Sequence, residues 1–571
     1  MLTESEKQKI IDLIRMGQPL PQRFRDELFP PGTNTLRPPR SREAATFRVV
    51  ERFGHPDERR WTNKLIMGEN GLILSSLLDG TTAETIERQG GLKLVYIDPP
   101  FNVGRDFYMD LPVGDGTETL KAKAYADRWQ GNFYETLRER LELVRELLAD
   151  DGCVFVHCDW RANARIRLSL DEIFKFFENE IVWRYTGGGR SSKRFSRKHD
   201  TLYLYSKSGK LRFFGDAVRV PYKETSGYAK SGVTSRAGKK YLPNPAGTIP
   251  DDVWEIPMVN PLSLERTGYP TQKPEALIER ILLACSREGD LVADFFCGSG
   301  VLPSVAQKLG RKWIAVDASP LAISIAKKRL LSLAPPATFD VLELAPREDE
   351  KDDRVERISR AWGLDRIDDD LFAGLKDSRP VAISLAPASR ALLTSIIARC
   401  DRDGLSTADV LAASFAPDAL PWALDEAEKH GIDLRLRRVR TSAPSPAPDA
   451  SFFPAAYPVV EPIIEDDLIA AKLTGYQFCL AQGETIESVV GQPSSVASSN
   501  WQDWIDYWAT DFEYASDGII KAQWSSFRDR KNRRLELASE FRPIHSERQK
   551  IAAKVVDIFG VDASAALDIQ I

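Results

Sequence analysis

From about Trp61 the chain alternates short, almost uninterrupted apolar runs with longer stretches whose apolar residues recur at helical spacing. "KLIMGE" leads into "GLILSSLLDG", and "LKLVYIDPPF" is a near-continuous apolar strand. "YETLRERLELVRELLADDG" has helical spacing and a glycine stop before "CVFVHCDW" returns to strand. The alternation resumes with "PEALIERILLACSREGD" as helix, "LVADFFCGSG" as strand and glycine loop, "VLPSVAQKLG" as helix and "KWIAVDASP" as strand. Strands lacking polar alternation, separated by amphipathic helices, predict an α/β fold with a doubly wound, largely parallel sheet covered on both faces.

The pattern changes outside these two blocks. Residues 1–60 read as a helix, with Ile10, Ile11 and Ile14 on one side, and a Pro/Arg-rich linker. Residues 61–335 hold the α/β domain, and 184–250 form a basic insert with strand-like alternation in "TLYLYSKSGKLRFF". A charged linker is expected over 336–369, a small α/β domain over 370–440 and, after a Pro/Ala/Ser stretch, a β-rich C-terminal domain over 457–571. The aromatic stretch "WIDYWATDFEY" reads as core or interface rather than a platform for bases. At 571 residues the chain exceeds one ordinary core, which suits this division.

Composition alters this picture in one place. The hydrophobic share of 43% and charged share of 28% are those of a soluble globular protein. With no apolar run long enough to span a bilayer and no signal-peptide pattern, a cytoplasmic location without membrane partners is expected. The net charge of −5 argues, as an average, against nucleic acid. Between Arg184 and Lys240, however, fifteen Lys and Arg stand against three Asp and Glu. A basic footprint that local can bind phosphates despite the average. The six cysteines form no CxxC pair. Cys153, His157 and Cys158 raise the question of zinc, but a fourth ligand is not evident and the segment reads as a buried strand end, so no metal is expected.

Two strand ends carry chemistry. "LVADFFCGSG" places Asp294, Phe296, Gly298 and Gly300 where a buried strand turns into a helix, the position at which open α/β sheets bind ligands. Alone this is equally a tight turn. Asp317 ends the next strand about twenty residues on, where an acid accepts hydrogen bonds from ribose hydroxyls in nucleotide folds. Its bland alternative is the N-cap of the helix "PLAISIAKKRL". The other strand end is Asp98-Pro99-Pro100-Phe101, which without companions would be a rigid exit from a strand.

With "DPPF" upstream, "YPTQKPEALIERIL" next and "DFFCGSG" after it, the chain resembles S-adenosylmethionine-dependent DNA amino-methyltransferases of the adenine-N6 group. More narrowly it resembles the permuted β class, in which the catalytic motif precedes the cofactor loop, and the modification subunits of type III restriction systems. The resemblance covers about Trp61 to Leu333 and implies a Rossmann-like methyltransferase fold. It implies that Asp98, Pro99, Pro100 and Phe101 are catalytic. Thr271 and Lys273 match the segment contacting the methionine end of S-adenosylmethionine. Asp294, Phe296, Gly298 and Gly300 match the loop beneath the cofactor, and Asp317 matches its ribose ligand. The sequence departs from the common form at Phe101, where the family often has Tyr or Trp, and at Val301-Leu302. Glu69 stands where the family often has Asp, and reads as a cofactor contact or as a surface acid. His157, Asp159 and Trp160 either line the base pocket or are structural.

The implied partner is double-stranded DNA with a flipped adenine. Arg190, Lys193, Arg194, Arg197 and Lys198 are expected to meet phosphates, in the region where this class recognises its target. The expected setting is restriction-modification or phage defence. A restriction or helicase subunit and a homodimer remain open partners. Two rivals stand beside this reading: cytosine-N4 methylation, which Asp98 disfavours because those enzymes usually carry Ser there, and a non-catalytic DNA-binding subunit.

Overall fold

The computed structural model describes residues 45–570, apart from 56–60, 102, 117, 128–132, 187–190, 224–225, 228–229, 231, 237–238, 346–350, 418, 442–449, 481–483, 485–499 and 529–532. The expected N-terminal helix and the DNA-binding candidate Arg190 lie outside the described residues.

Eleven strands form one sheet: β1 (Phe47–Phe53), β2 (Asn63–Met67), β3 (Leu92–Ile97), β4 (Leu148–Cys158), β5 (Phe176–Arg184), β6 (His199–Ser206), β7 (Val253–Glu255), β8 (Leu291–Asp294), β9 (Lys312–Asp317), β10 (Phe339–Leu344) and β11 (Ile520–Ala522). Their order is β7-β5-β6-β4-β3-β8-β9-β2-β10-β1-β11. The central run from β4 to β10 is parallel throughout. It is the doubly wound Rossmann-like sheet, and its strands are apolar because both faces are covered. Side chains alternate across a strand, so Leu94 and Tyr96 of β3 join one core while Val95 and Ile97 join the other. Helices α1 (Asn70–Leu77) and α2 (Phe133–Leu147) pack on the second face through Ile73, Leu77, Leu137, Leu141 and Val144. Helices α3 (Glu275–Cys285), α4 (Val301–Lys308) and α5 (Pro320–Leu331) cover the first through Leu277, Ile281, Leu302, Val305 and Leu330.

The sheet reaches beyond the expected domain limits. Strand β1, inside the expected N-terminal linker, pairs antiparallel with β10, and β11 from the far C-terminal region pairs with β1. Strand β6, inside the basic insert, lies antiparallel between β4 and β5, so the alternation read there belongs largely to the main sheet. Cys153 and Cys158 fall in opposite cores of β4.

Beyond β10, a six-stranded sheet spans Asp365–Arg366 to Ala450–Pro454, with helices Arg390–Asp403 and Leu420–Lys429 joining its parallel strands. Its buried Arg379 is held by Asp409 at 2.6 Å and Asp433 at 2.7 Å. Two small antiparallel sheets follow, built on Ala456–Glu465 with Leu468–Phe478 and on Ile505–Asp511 with Arg548–Asp557. Tyr507 and Trp508 of the aromatic stretch are fully buried there. Among the described residues no helix is long and apolar enough to cross a membrane.

A hairpin (Arg105–Pro112 with Thr119–Asp127) follows the Asp98–Phe101 segment. Its far end is clasped by the C-terminal region: Gly114 N donates to Asp503 O at 3.2 Å and Arg528 Nη1 meets Asp115 at 2.5 Å. Its near end borders the site, where Val103 N donates to Asp127 Oδ2 at 3.2 Å and Tyr125 bonds Thr271.

Candidate active site

The carboxyl ends of β4, β3, β8 and β9 place His157, Asp98, Asp294 and Asp317 along one edge of the sheet. Register explains the arrangement. Tyr96 lies opposite Asp294, so Asp98 emerges two residues beyond it. Ile97 lies opposite Val156, which puts Asp98 beside His157. Ligands of open α/β sheets bind at this edge, in the crevice where neighbouring strands lead away in opposite directions.

Asp98 is partly buried, and Lys273 Nζ donates to its Oδ2. Its other oxygen, Oδ1, is buried, finds no hydrogen-bond partner among the described residues and lies 3.9 Å from His157 Nδ1. A buried carboxylate oxygen with no donor costs free energy, so this atom is primed to accept one. Pro99 is buried and Phe101 half-buried. The Phe101 ring lies 6.0 Å from that of His157, with Lys273 Nζ 5.6 Å above it. The motif is thus held by two residues, His157 and Lys273, 56 to 175 positions away in sequence.

His157 is wholly buried. Tyr96 Oη lies 2.8 Å from its Nδ1 and Asp200 Oδ2 lies 3.2 Å from its Nε2, so both ring nitrogens are engaged. Tyr185 donates to Asp200 at 3.2 Å, and Trp183 packs edge-on to the imidazole at 5.5 Å. Burial raises the Asp200 carboxyl, but His157, together with the Lys273 charge and the Tyr185 bond, outweighs it and holds the group below its ordinary value. Sequence reasoning left His157 unassigned and passed over Asp200, which arrives on an antiparallel neighbour of β4. The "HD" at the start of that strand was the only local signal.

The glycine loop is packed closely against its own neighbours. Gly298 has φ 48°, and a Cβ there would come within 3.1 Å of the Tyr269 ring. Gly300 has φ 71°, and its Cβ would lie 2.7 Å from that of Ala326. Both positions need glycine for conformation and for space. Asp317 accepts from Gly298 N and Ser319 N, each at 2.8 Å, which ties the acid to the loop. Burial pushes Asp317 up to about 6, against these backbone donors, which pull it down. The neighbouring helix cap is Ser319, whose Oγ accepts from Ala322 N, so Asp317 is not the cap. Burial pushes Asp294 well above the usual carboxylate range; the Phe296 N–H opposes this and the charges of Asp98 and Asp317 add to it. Phe296 is half-buried against the second core.

Thr271 takes a left-handed φ of 60°, unusual for a β-branched residue, and its hydroxyl bonds Tyr125 at 3.0 Å. Lys273, matched by resemblance to the cofactor segment, is bonded to Asp98. Glu69 caps α1 by accepting from Leu72 N at 2.9 Å and pairs with Arg140. Lys193, Arg194 and Arg197 are exposed on the segment before β6, with Lys198 half-buried at its end. Among the described residues no cluster of three metal-ligating side chains occurs.

The residues therefore fit a nucleotide-like cofactor: a glycine cradle, an acid tied to it and a second acid on the adjacent strand. An acceptor-bearing motif stands one strand away. The DNA methylase model, which describes N6 and N4 methyltransferases, matches residues 92–328. Type II methyltransferase M.HpaI of Haemophilus parainfluenzae is 32% identical over 244 residues, covering 42% of this chain and 69% of that protein. DNA adenine methyltransferase YhdJ of Escherichia coli K12 is 31% identical over 287 residues, covering 49% and 87%. Type II methyltransferase M1.MboII of Moraxella bovis is 33% identical over 235 residues, covering 40% and 84%.

Proposed function

This chain belongs to the DNA methylase family, and we propose that it methylates adenine N6 at specific sites in double-stranded DNA, with the residues at the β3, β8 and β9 strand ends as its active site. The observation that carries the reading is Asp98, held by Lys273 and with one buried oxygen unpartnered among the described residues, one strand from the Gly298–Gly300 cradle. S-adenosylmethionine, when bound, supplies an electrophilic methyl group. Asp294, Phe296, Gly298, Gly300 and Asp317 would hold it, with Asp317 accepting from the ribose hydroxyls and Thr271 at the methionine end.

The lone pair of an adenine amine is delocalised into the ring and is a poor nucleophile. Two acceptors that bind its N–H bonds favour a pyramidal nitrogen with its lone pair directed at the methyl group. Asp98 Oδ1 is one acceptor. The Pro99 carbonyl is the other, its direction set because the prolines have nearly fixed φ and no N–H. Phe101 stacks on the extruded base. Lys273 holds the carboxylate in place. The catalysis is positioning and electrostatics. Asp98, rather than the Ser usual in cytosine-N4 enzymes, favours adenine. The relatives named as type II methyltransferases favour a restriction-modification setting.

Digesting DNA to nucleosides after incubation with labelled S-adenosylmethionine tests the reading. N6-methyladenine is expected, N4-methylcytosine would transfer the reading to its rival, and cofactor binding without either product would leave a DNA-binding scaffold.

Asp317 adds a pH signature. Ribose hydroxyls are bound by the ionised carboxylate, so protons compete with cofactor below the free protein's value of about 6. Affinity for S-adenosylmethionine is expected to fall about tenfold per pH unit below that point. Calorimetry at pH 5, 6 and 7 checks this. Asp317→Asn should bind weakly with a flat profile, and a steep profile in that variant would move the titration elsewhere.

A further inference from the structure

The basic segment Ser191–Lys198 springs from the catalytic pocket. Tyr185 N donates to Lys198 O at 3.0 Å, closing the base of the loop that joins β5 to β6. Tyr185 Oη and His157 both bond Asp200, and His157 lies against Asp98. The loop thus begins and ends beside the residues that would receive the target base.

Two features of this segment lie at the surface. Arg197 lays its guanidinium 3.5 Å from the centroid of the Trp160 ring, which Arg161 also approaches at 5.5 Å. Trp160 follows β4 at the same edge of the sheet and remains 44% exposed. Phe195 is 99% exposed, with Arg194 before it and Arg197 two residues on. An aromatic ring left wholly in water among cations is a poor surface for an ordinary apolar protein partner. It suits a polymer with phosphates outside and flat apolar faces within, which is duplex DNA.

We propose that Phe195 is the wedge that enters the base stack at the step the target base leaves. The Arg197–Trp160 stack anchors its loop at the rim, and Lys193, Arg194 and Lys198 meet the flanking phosphates. The proposal deepens, and rests on, the reading as a methyltransferase of duplex DNA. A base inside a duplex must be unpaired and unstacked to reach an active site. An apolar side chain inserted between base steps compensates the stacking that is lost. Phe101 then serves the extruded base, and Phe195 the gap behind it.

Sequencing the methylated positions gives the target site. Two duplexes follow, with the target adenine opposite thymine or opposite an abasic residue. With full-length protein, Phe195→Ala is expected to lower kcat/KM about 30-fold on the paired duplex and less than about threefold on the abasic one, where little extrusion cost remains. Phe195→Leu, still apolar, should retain most activity on both. The fluorescence of 2-aminopurine at the target position should rise with wild-type protein and rise less with Phe195→Ala. Unchanged rates on the paired duplex, or equal losses on both duplexes, would overturn the wedge; unchanged rates would leave a protein-docking role for Phe195. Absence of methylation by the wild-type protein on any DNA would instead overturn the underlying reading.

Discussion

Replacing Asp98 with alanine is expected to lower methyl transfer by about a thousandfold or more, while S-adenosylmethionine affinity changes little. The asymmetry follows from position. Asp98 stands at the end of β3, whereas the glycine cradle and Asp317 follow β8 and β9. On the proposed mechanism, removing the carboxylate deletes one of two acceptors for the amine, an interaction that strengthens as the nitrogen becomes pyramidal. It also leaves Lys273, only 10% exposed at its side chain, without its anionic partner. Asp98→Asn separates these effects. It keeps an acceptor oxygen and the shape while losing the charge, so it should retain more activity than the alanine variant. Single-turnover methylation and calorimetry on the same preparations make the comparison. Parallel loss of cofactor binding and activity in both variants would make Asp98 a structural residue.

The parts of this site legible in the sequence are those whose function is written locally. "DPPF", "DFFCGSG" and the acid ending "KWIAVD" each pair a strand end with a short motif, and the parallel sheet aligns such ends on one edge. What joins the motifs was not legible. Lys273 meets Asp98 across 175 positions, and no residue near either one announces the pair. His157 and Asp200 meet because β6 runs antiparallel beside β4, in a stretch whose composition points to a recognition insert. The same reason hid the sheet's outer strands. Strand β1 is an alternating, half-exposed strand in a region dominated by Pro and Arg. Strand β11 has three residues, too few for any periodicity. Both are strands because of the partner they find.

The largest stability effect is expected where those outer strands bring the two halves of the chain together. Glu51 on β1 is fully buried and accepts from Lys327 of α5 at 2.9 Å and from Tyr507 at 2.8 Å, with Lys554 at 3.5 Å. Burial would raise its carboxyl, but Lys327 and Lys554 outweigh this and hold it below its ordinary value. Lys554 has a second anion, Asp562, at 3.1 Å, whereas among the described residues no second carboxylate lies within 4 Å of Lys327. Glu51→Met therefore strands a buried ammonium, and a loss of about 3–5 kcal/mol is expected in denaturant unfolding. Adding Lys327→Met should recover most of it, since the remaining cation stays paired with Asp562. The sign of the pH effect is fixed. A depressed carboxyl contributes fully above its unfolded value of 4.5, so the gap between wild type and Glu51→Met should shrink as pH falls from there through the lower folded value. The consequence reaches the active site, because α5 begins three residues after Asp317 and its Ser324 and Lys328 also hold Asp506. The family model stops at residue 328, yet the chain beyond it supplies this support, and Asp503 and Arg528 clasp the hairpin that borders Thr271. Cofactor affinity in Glu51→Met should fall along with stability and return in the double variant. Recovery of neither would place the coupling elsewhere in the C-terminal region.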